Sequence, residues 1–211
     1  LSAKNLHFEH GATCDDLLLI GIEKTPAKIF VHLHPIEVKI GQNANGVLEK
    51  AKAQVINTYT GLMQALWPEG DERQSIERKV IRNFIMQLAI LSCEKMRLYG
   101  VYPEETWDLV LNECREDLLN ENYEISEEIN HFIGAGTIIS FKQDVAIISG
   151  DIDEDNIALI QLPEKEGYEY LVKPVSSVSE EVAHTKLLPP RLSGFYSVEQ
   201  TGIQDLFMQQ V

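Results

Sequence analysis

Residues 14–41 read CDDLLLIGIEKTPAKIFVHLHPIEVKIG. LLLIGI (17–22) is a short apolar run that reads as a buried strand, and KIFVHLHPIEVKI (28–40) reads as a second, longer one. The intervening EKTPA (23–27), with Pro26, is a turn that brings the two strands back together. Successive side chains of a strand point to opposite faces. Glu37 and Lys39 therefore share one face, and Ile36, Val38 and Ile40 the other, which suits a core. Asp16 abuts the first strand, so a hairpin sets it beside Glu37 on the polar face. Pro35 cannot donate to a ladder and predicts a break or bulge in the second strand.

On the N-terminal side, residues 1–10 suit a short helix or an edge segment, and they hold no apolar run of a signal peptide. The chain begins at Leu1, which suggests a domain of a longer protein. On the C-terminal side, GQNANG (41–46) is a loop and residues 46–66 form a helix. Val47, Ala51, Val55, Leu62 and Leu66 make its core stripe, and Lys50, Gln54 and Asn57 line a polar face. Residues 72–99 predict a long amphipathic helix closed by Gly100, residues 104–120 another, and residues 120–132 a partly helical stretch. TIISFK (137–142), VAIISG (145–150), NIALIQL (156–162) and YEYLVK (168–173) read as strands, the first two as a hairpin. Residues 176–194 are a polar linker with two adjacent prolines, and the tail after them suits a closing helix.

Net charge is -15, unevenly spread. Residues 1–60 hold six acids and six bases, residues 61–132 fifteen and seven, and residues 133–211 twelve and five. The hairpin thus lies in the neutral part. No basic patch of the kind a nucleic-acid binder displays is evident. No run approaches the roughly 18 apolar residues of a membrane span. Three cysteines without C-x-x-C spacing argue against a disulfide framework and predict reduced thiols in a cytoplasmic chain.

An acid, a second acid and a lysine on adjacent strands are the parts that phosphodiester hydrolysis requires. Two carboxylates can hold Mg²⁺ (or Mn²⁺), a hard ion that takes oxygen ligands. The ion acidifies a bound water and polarises the phosphoryl oxygen. A lysine adds positive charge where the anion develops. Acid-x-Lys alone is a weak signal, and Glu77-Arg78-Lys79 repeats it inside a predicted helix. The order counts for more: acid, apolar strand, turn, strand ending in acid-x-Lys, Gly loop, helix. A surface hairpin with a solvated ion pair is the plain alternative.

CDDLLLIGI, PIEVKIG and EKAKAQVINTY, within residues 10–60, resemble the core of the PD-(D/E)xK nuclease superfamily. The resemblance implies that Asp16 and Glu37 bind metal and that Lys39 is catalytic, with Asp15 the competitor for the first position. It also suggests accessory roles for Gln54 and Tyr59, which resemble the Gln and Tyr on the helix of RecB-like members, and for Glu9 as an upstream acid. The same stretch resembles part of the H component of phosphorothioation-dependent restriction systems, long proteins that pair such a region with a motor ATPase.

The expected fold is α/β: a mixed sheet of restriction-endonuclease-like type with a helical insertion and a β-rich C-terminal part. Residues 1–70 form the nuclease core hairpin and helix, 71–132 the insertion, 133–175 the β-rich part that completes the sheet or stands as a small module, and 176–211 the linker and tail. The expected function is metal-dependent DNA endonuclease activity in restriction and phage defence, as a domain of a larger ATPase-containing protein. Its partners would be DNA and a motor ATPase domain or restriction subunits, with no membrane. The alternative is a catalytically inactive, nuclease-like binding or coupling module. His32 and His34 form an H-x-H expected to be structural. DIDEDN (151–156) lacks the Gly and terminal Glu of a calcium loop, and no P-loop motif is present.

Overall fold

A computed structural model describes residues 16–42, 46–70, 75–100, 107–126, 135–146, 148–174 and 177. Strands β1 (Leu17–Lys24) and β2 (Ile29–Gly41) pair antiparallel, from Leu17 opposite Ile36 to Lys24 opposite Ile29. Thr25 closes the turn: its N–H donates to the Lys28 carbonyl at 2.8 Å, and its hydroxyl accepts from the Lys28 N–H at 3.1 Å.

β2 runs unbroken through Pro35, against the expectation of a break. The reason lies in which way its amides point. The Val38 N–H faces the β1 side. Amides alternate along a strand, so the Pro35 nitrogen faces the opposite side. There, β3 (Tyr123–Ile125) runs parallel to residues 29–31 only, and the parallel pairing with β4 (Gly136–Lys142) begins at Ile36. Pro35 sits in the gap between them, where no ladder donor is lost.

Helix α1 (Val47–Leu66) enters through Gly46, whose φ of 85° is one that a side chain would oppose. It buries Ala51, Val55, Thr58, Leu62, Ala65 and Leu66. Its second half joins Ile29, Val31 and Leu33 of β2 and Ile85, Met86 and Ile90 of α2 (Ile76–Leu98) in the main core. Its first half packs Ala51 and Val55 on Ile138 of β4 and on Ile157. The sheet face that carries Glu37 is therefore the face under α1. Ile36, Val38 and Ile40 do not form the expected core: the first two are half-buried and Ile40 is 69% exposed.

Ser75 caps α2, its hydroxyl accepting from the Arg78 N–H. After a π-helical turn (Leu109–Cys114) and the short α3 (Arg115–Leu119), the chain comes back to the sheet. Arg82, 2% exposed, joins three elements there. Its guanidinium grips Glu121 at 3.0 and 2.9 Å and donates to the Leu66 carbonyl at 2.7 Å. The expected helical character of 120–132 gives way at Tyr123–Ile125, which is strand β3. β2 offers an open edge at Ile29–Val31, and Tyr123 and Ile125 gain burial against the main core by pairing there.

The remaining strands extend the same sheet. β4 pairs parallel with β6 (Ile157–Pro163), and β5 (Ser149–Ile152) lies antiparallel on the far edge. The six-stranded order is β1-β2-β4-β6-β5, with β3 also on β2. The expected 137–150 hairpin does not form. The more apolar IALIQL takes the inner position and the polar SGDI the edge, which limits exposed apolar edge. Of residues 168–173, expected as a strand, 168–172 belong to helix α4 (Glu164–Val172) and Lys173 is its C-cap. Pro163 precedes its first turn, and Glu169 meets Lys165 and Lys173 at helical spacing, 3.5 and 4.0 Å away. Gly167 lets α4 lie on Phe141, whose ring would be 2.8 Å from a Cβ at that position. The described residues hold no helix long and apolar enough to cross a membrane. The expected linker and tail lie outside the described residues, residue 177 apart.

Candidate active site

β1 stops pairing with β2 at Leu17–Ile36, while β2 continues to Gly41. Among the described residues, the β1-facing edge of residues 37–41 is thereby left without a strand. Asp16 fills the first vacant place, its Oδ2 accepting the Val38 N–H at 2.8 Å. Continuing the register by one pair sets Asp16 opposite Glu37, and opposite residues of an antiparallel ladder share a face. Asp16 is itself solvent-exposed.

Glu37 is 3% exposed beneath α1. Its Oε1 accepts from the Lys39 ammonium, and that ammonium also reaches Gln54 Oε1 of α1 at 3.3 Å. Glu37 Oε2 is buried and has no hydrogen-bond partner among the described residues. A buried carboxylate oxygen without a donor is costly, so the arrangement calls for a positive or donating group that completes it. Lys39 is partly open to solvent. The trio Glu37, Lys39 and Gln54 thus forms where the end of β2 that outruns β1 passes under α1, with Asp16 on the adjoining edge.

Of the expected accessory residues, Gln54 joins this group, although only a resemblance had singled it out. Tyr59 follows five residues later on α1, about 140° round the helix from Gln54, with its hydroxyl buried. Glu9 and Asp15 lie outside the described residues. What the sequence reading missed is the bond from Asp16 to the Val38 amide. The signal for it was the unequal strand length, since β2 must outrun a partner that starts at residue 17.

The donor set suits a hard cation. Asp16 Oδ1 and Glu37 Oε2 are oxygens, the ligand type that Mg²⁺ and Mn²⁺ prefer, while Gln54 Oε1 is taken by Lys39, and such ions keep several waters when protein ligands are few. Among the described residues no three His, Cys, Asp or Glu side chains come together. The protein's share of the coordination would rest on the two carboxylates.

The other chemical groups turn inward. His32 Nδ1 meets the Ser126 carbonyl at 2.9 Å, His32 Nε2 meets His34 Nδ1 at 3.4 Å, and His34 Nε2 meets the Thr137 hydroxyl at 2.8 Å. A carbonyl only accepts, so His32 Nδ1 carries a proton. The chain then runs one way: Thr137 donates to His34, His34 to His32, and His32 to Ser126. Both rings are buried, and the pair serves the packing of β2 against β4 and the residue after β3. In the 151–156 turn, the Lys52 ammonium of α1 lies 2.7 Å from Asp153 and 2.5 Å from Asp155, the place a cation would take. These hydrogen bonds raise the Lys52 pKa. Cys93 and Cys114 are free and buried, and burial pushes both thiols up, away from nucleophilic use. Cys14 lies outside the described residues.

No family model matches the chain, and no curated protein or solved structure shows significant similarity to it.

Proposed function

We propose that the chain carries a metal-dependent phosphodiesterase site, built from Asp16, Glu37 and Lys39 with Gln54 in support, and that it acts on DNA as a nuclease of the PD-(D/E)xK kind. The observation that carries this reading is the buried, half-satisfied Glu37 carboxylate held against Lys39. The restriction-endonuclease-like form of the fold is part of the same proposal. An antiparallel hairpin, a helix packed on its second strand and a parallel strand beside that strand support it.

Asp16 and Glu37 would hold Mg²⁺ or Mn²⁺. When bound, the ion acidifies its water and draws charge from the phosphoryl oxygen. Lys39, steered by Glu37 and Gln54, presents its ammonium to the anionic oxygen. Gln54 anchors that ammonium to α1, so its position depends on helix packing as well as on its own rotamer. DNA restriction and phage defence, with a motor ATPase supplying most of the grip on DNA, is the setting proposed for this activity.

A second reading is a nuclease-like coupling module without catalysis. It is favoured by the Val38 amide that engages Asp16 and by Lys39, which already compensates Glu37. A Mn²⁺ titration followed by electron paramagnetic resonance separates the two. Wild type and Lys39→Ala are expected to bind the ion, because an ammonium is no ligand for it, and Glu37→Ala to lose at least tenfold in affinity. Equal binding by wild type and Glu37→Ala, or no binding by either, removes the enzyme reading.

A further inference from the structure

Helix α2 is apolar on two sides. Its inner side, with Ile85, Met86, Ala89 and Ile90, belongs to the core. On its outer side Val80, Phe84, Leu88 and Leu91 remain 37–62% exposed. These four follow one another at intervals of four, four and three residues, so they make one continuous stripe. Glu77 lies three residues before the stripe and Lys95 four residues after it, on the same line. The outward face of α2 therefore reads acid, four apolar residues, base.

We infer that this face is a dimer interface and that its occupant is α2 of a second copy, running antiparallel. Centred on Met86, an antiparallel pair sets Glu77 opposite Lys95 of the second copy and Phe84 opposite Leu88, and each pairing occurs twice by symmetry. A parallel pair would place Glu77 on Glu77 and Lys95 on Lys95, so charge selects the antiparallel arrangement. A groove of about 570 Å³ beside Val80 and Phe84, bordered by Leu119, Asn120 and Glu121, faces the half of the second helix that carries Leu88 and Leu91. α2 has 23 residues, about 35 Å of helix. Two such faces cover on the order of 1,200 Å², the lower end of what a stable specific dimer buries. The exposed rim of α2 also contrasts with the strongly acidic chain: Lys79 and Lys95 are exposed there, against Glu77. The helix is thus a place where two acidic molecules meet without stacking acid on acid.

Sedimentation equilibrium of the 211-residue chain, at an ionic strength of about 0.1 M so that exposed ion pairs at contact are not fully screened, tests the proposal. The expected mass is twice the 23.9 kDa of one chain. Phe84→Glu is expected to give monomers with unchanged circular dichroism, since the side chain is on the surface. Glu77→Lys and Lys95→Glu alone should each weaken the dimer about tenfold, because each turns two attractive pairs into repulsive ones. The double reversal should restore it. A monomeric wild type, a dimer that survives Phe84→Glu, or single reversals that leave the dissociation constant unchanged would each overturn the assignment.

Discussion

Glu37 sits where a carboxylate is expensive. One oxygen is met by Lys39, the other by no donor among the described residues, and burial under α1 keeps water away. Sites kept for chemistry often cost stability, whereas a buried pair kept for stability does not leave an oxygen orphaned. Replacing both charges by apolar side chains of similar length separates these cases. Glu37→Met/Lys39→Met is expected to raise unfolding stability by about 1–2 kcal/mol, read from urea denaturation, while metal binding disappears. A loss of stability of the same size would mark the pair as structural. At this scale the sequence speaks clearly for part of the site: acid-x-Lys on a strand puts both side chains on one face whatever the tertiary context. It is silent on burial. The face predicted to be polar is the one α1 covers, and the apolar Ile40 points to solvent, because neighbouring elements decide which side of a strand is inside.

Elements differ in how far their sequence announces them. The positions of β1, β2 and α1 are legible because each is an apolar run or stripe bounded by Pro, Gly or Asn, but β1, read as a buried strand, lies at the end of the strand order with Leu17, Leu18 and Leu19 exposed. β3 is not legible: three residues carry no period, and Tyr123–Ile125 is a strand only because β2 leaves an open edge. Helix α4 is misread because Tyr168, Tyr170 and Val172 alternate like a strand, while the deciding features are Pro163 and the charges around Glu169. Two predictions belong here. Gly136 starts β4 under α1, where an added Cβ would stand 2.3 Å from Val55 Cγ1 and 3.0 Å from the Pro35 carbonyl. Gly136→Ala should therefore cost about 1–3 kcal/mol of stability in urea melts, and an unchanged midpoint would mean that α1 can shift freely on the sheet. The Asp153 turn ties α1 to the far side of the sheet. Burial alone would raise the Asp153 pKa, but the Lys52 ammonium and the amides of Ile157 and Asp155 outweigh it, so the carboxyl lies below its usual value. A depressed carboxyl contributes its full stability above the unfolded-state value, near about 3.9, and loses it as pH falls through the folded value. Wild type should therefore lose more stability than Asp153→Asn between about pH 5 and pH 3, the interval that brackets the unfolded value. Parallel losses would show that the turn does not depend on this charge.

The whole molecule carries -15, and all of that excess lies beyond residue 60. One acidic group is held well clear of the site: Glu113 pairs with Lys24 at 2.8 Å, at the end of β1 opposite Asp16, about 25 Å of strand away. Phosphate contacts dominate affinity for nucleic acid, and lysine and arginine supply them. On the proposed reading, the chain should accordingly hold DNA weakly even with its chemistry intact. Net charge is the sequence feature that speaks against the proposal, and the fold answers it only locally, through the neutral hairpin and Lys39. The most direct test of the proposed activity is nicking of supercoiled plasmid in Mn²⁺ at low salt, with the 211-residue chain at high protein concentration. Wild type is expected to convert supercoiled to open-circular DNA, and Glu37→Ala and Lys39→Ala each to lose cutting by at least a hundredfold, a loss of about 2.7 kcal/mol in transition-state stabilisation. Cutting by both variants at the wild-type rate, or no metal-dependent cutting by any form, would contradict the account.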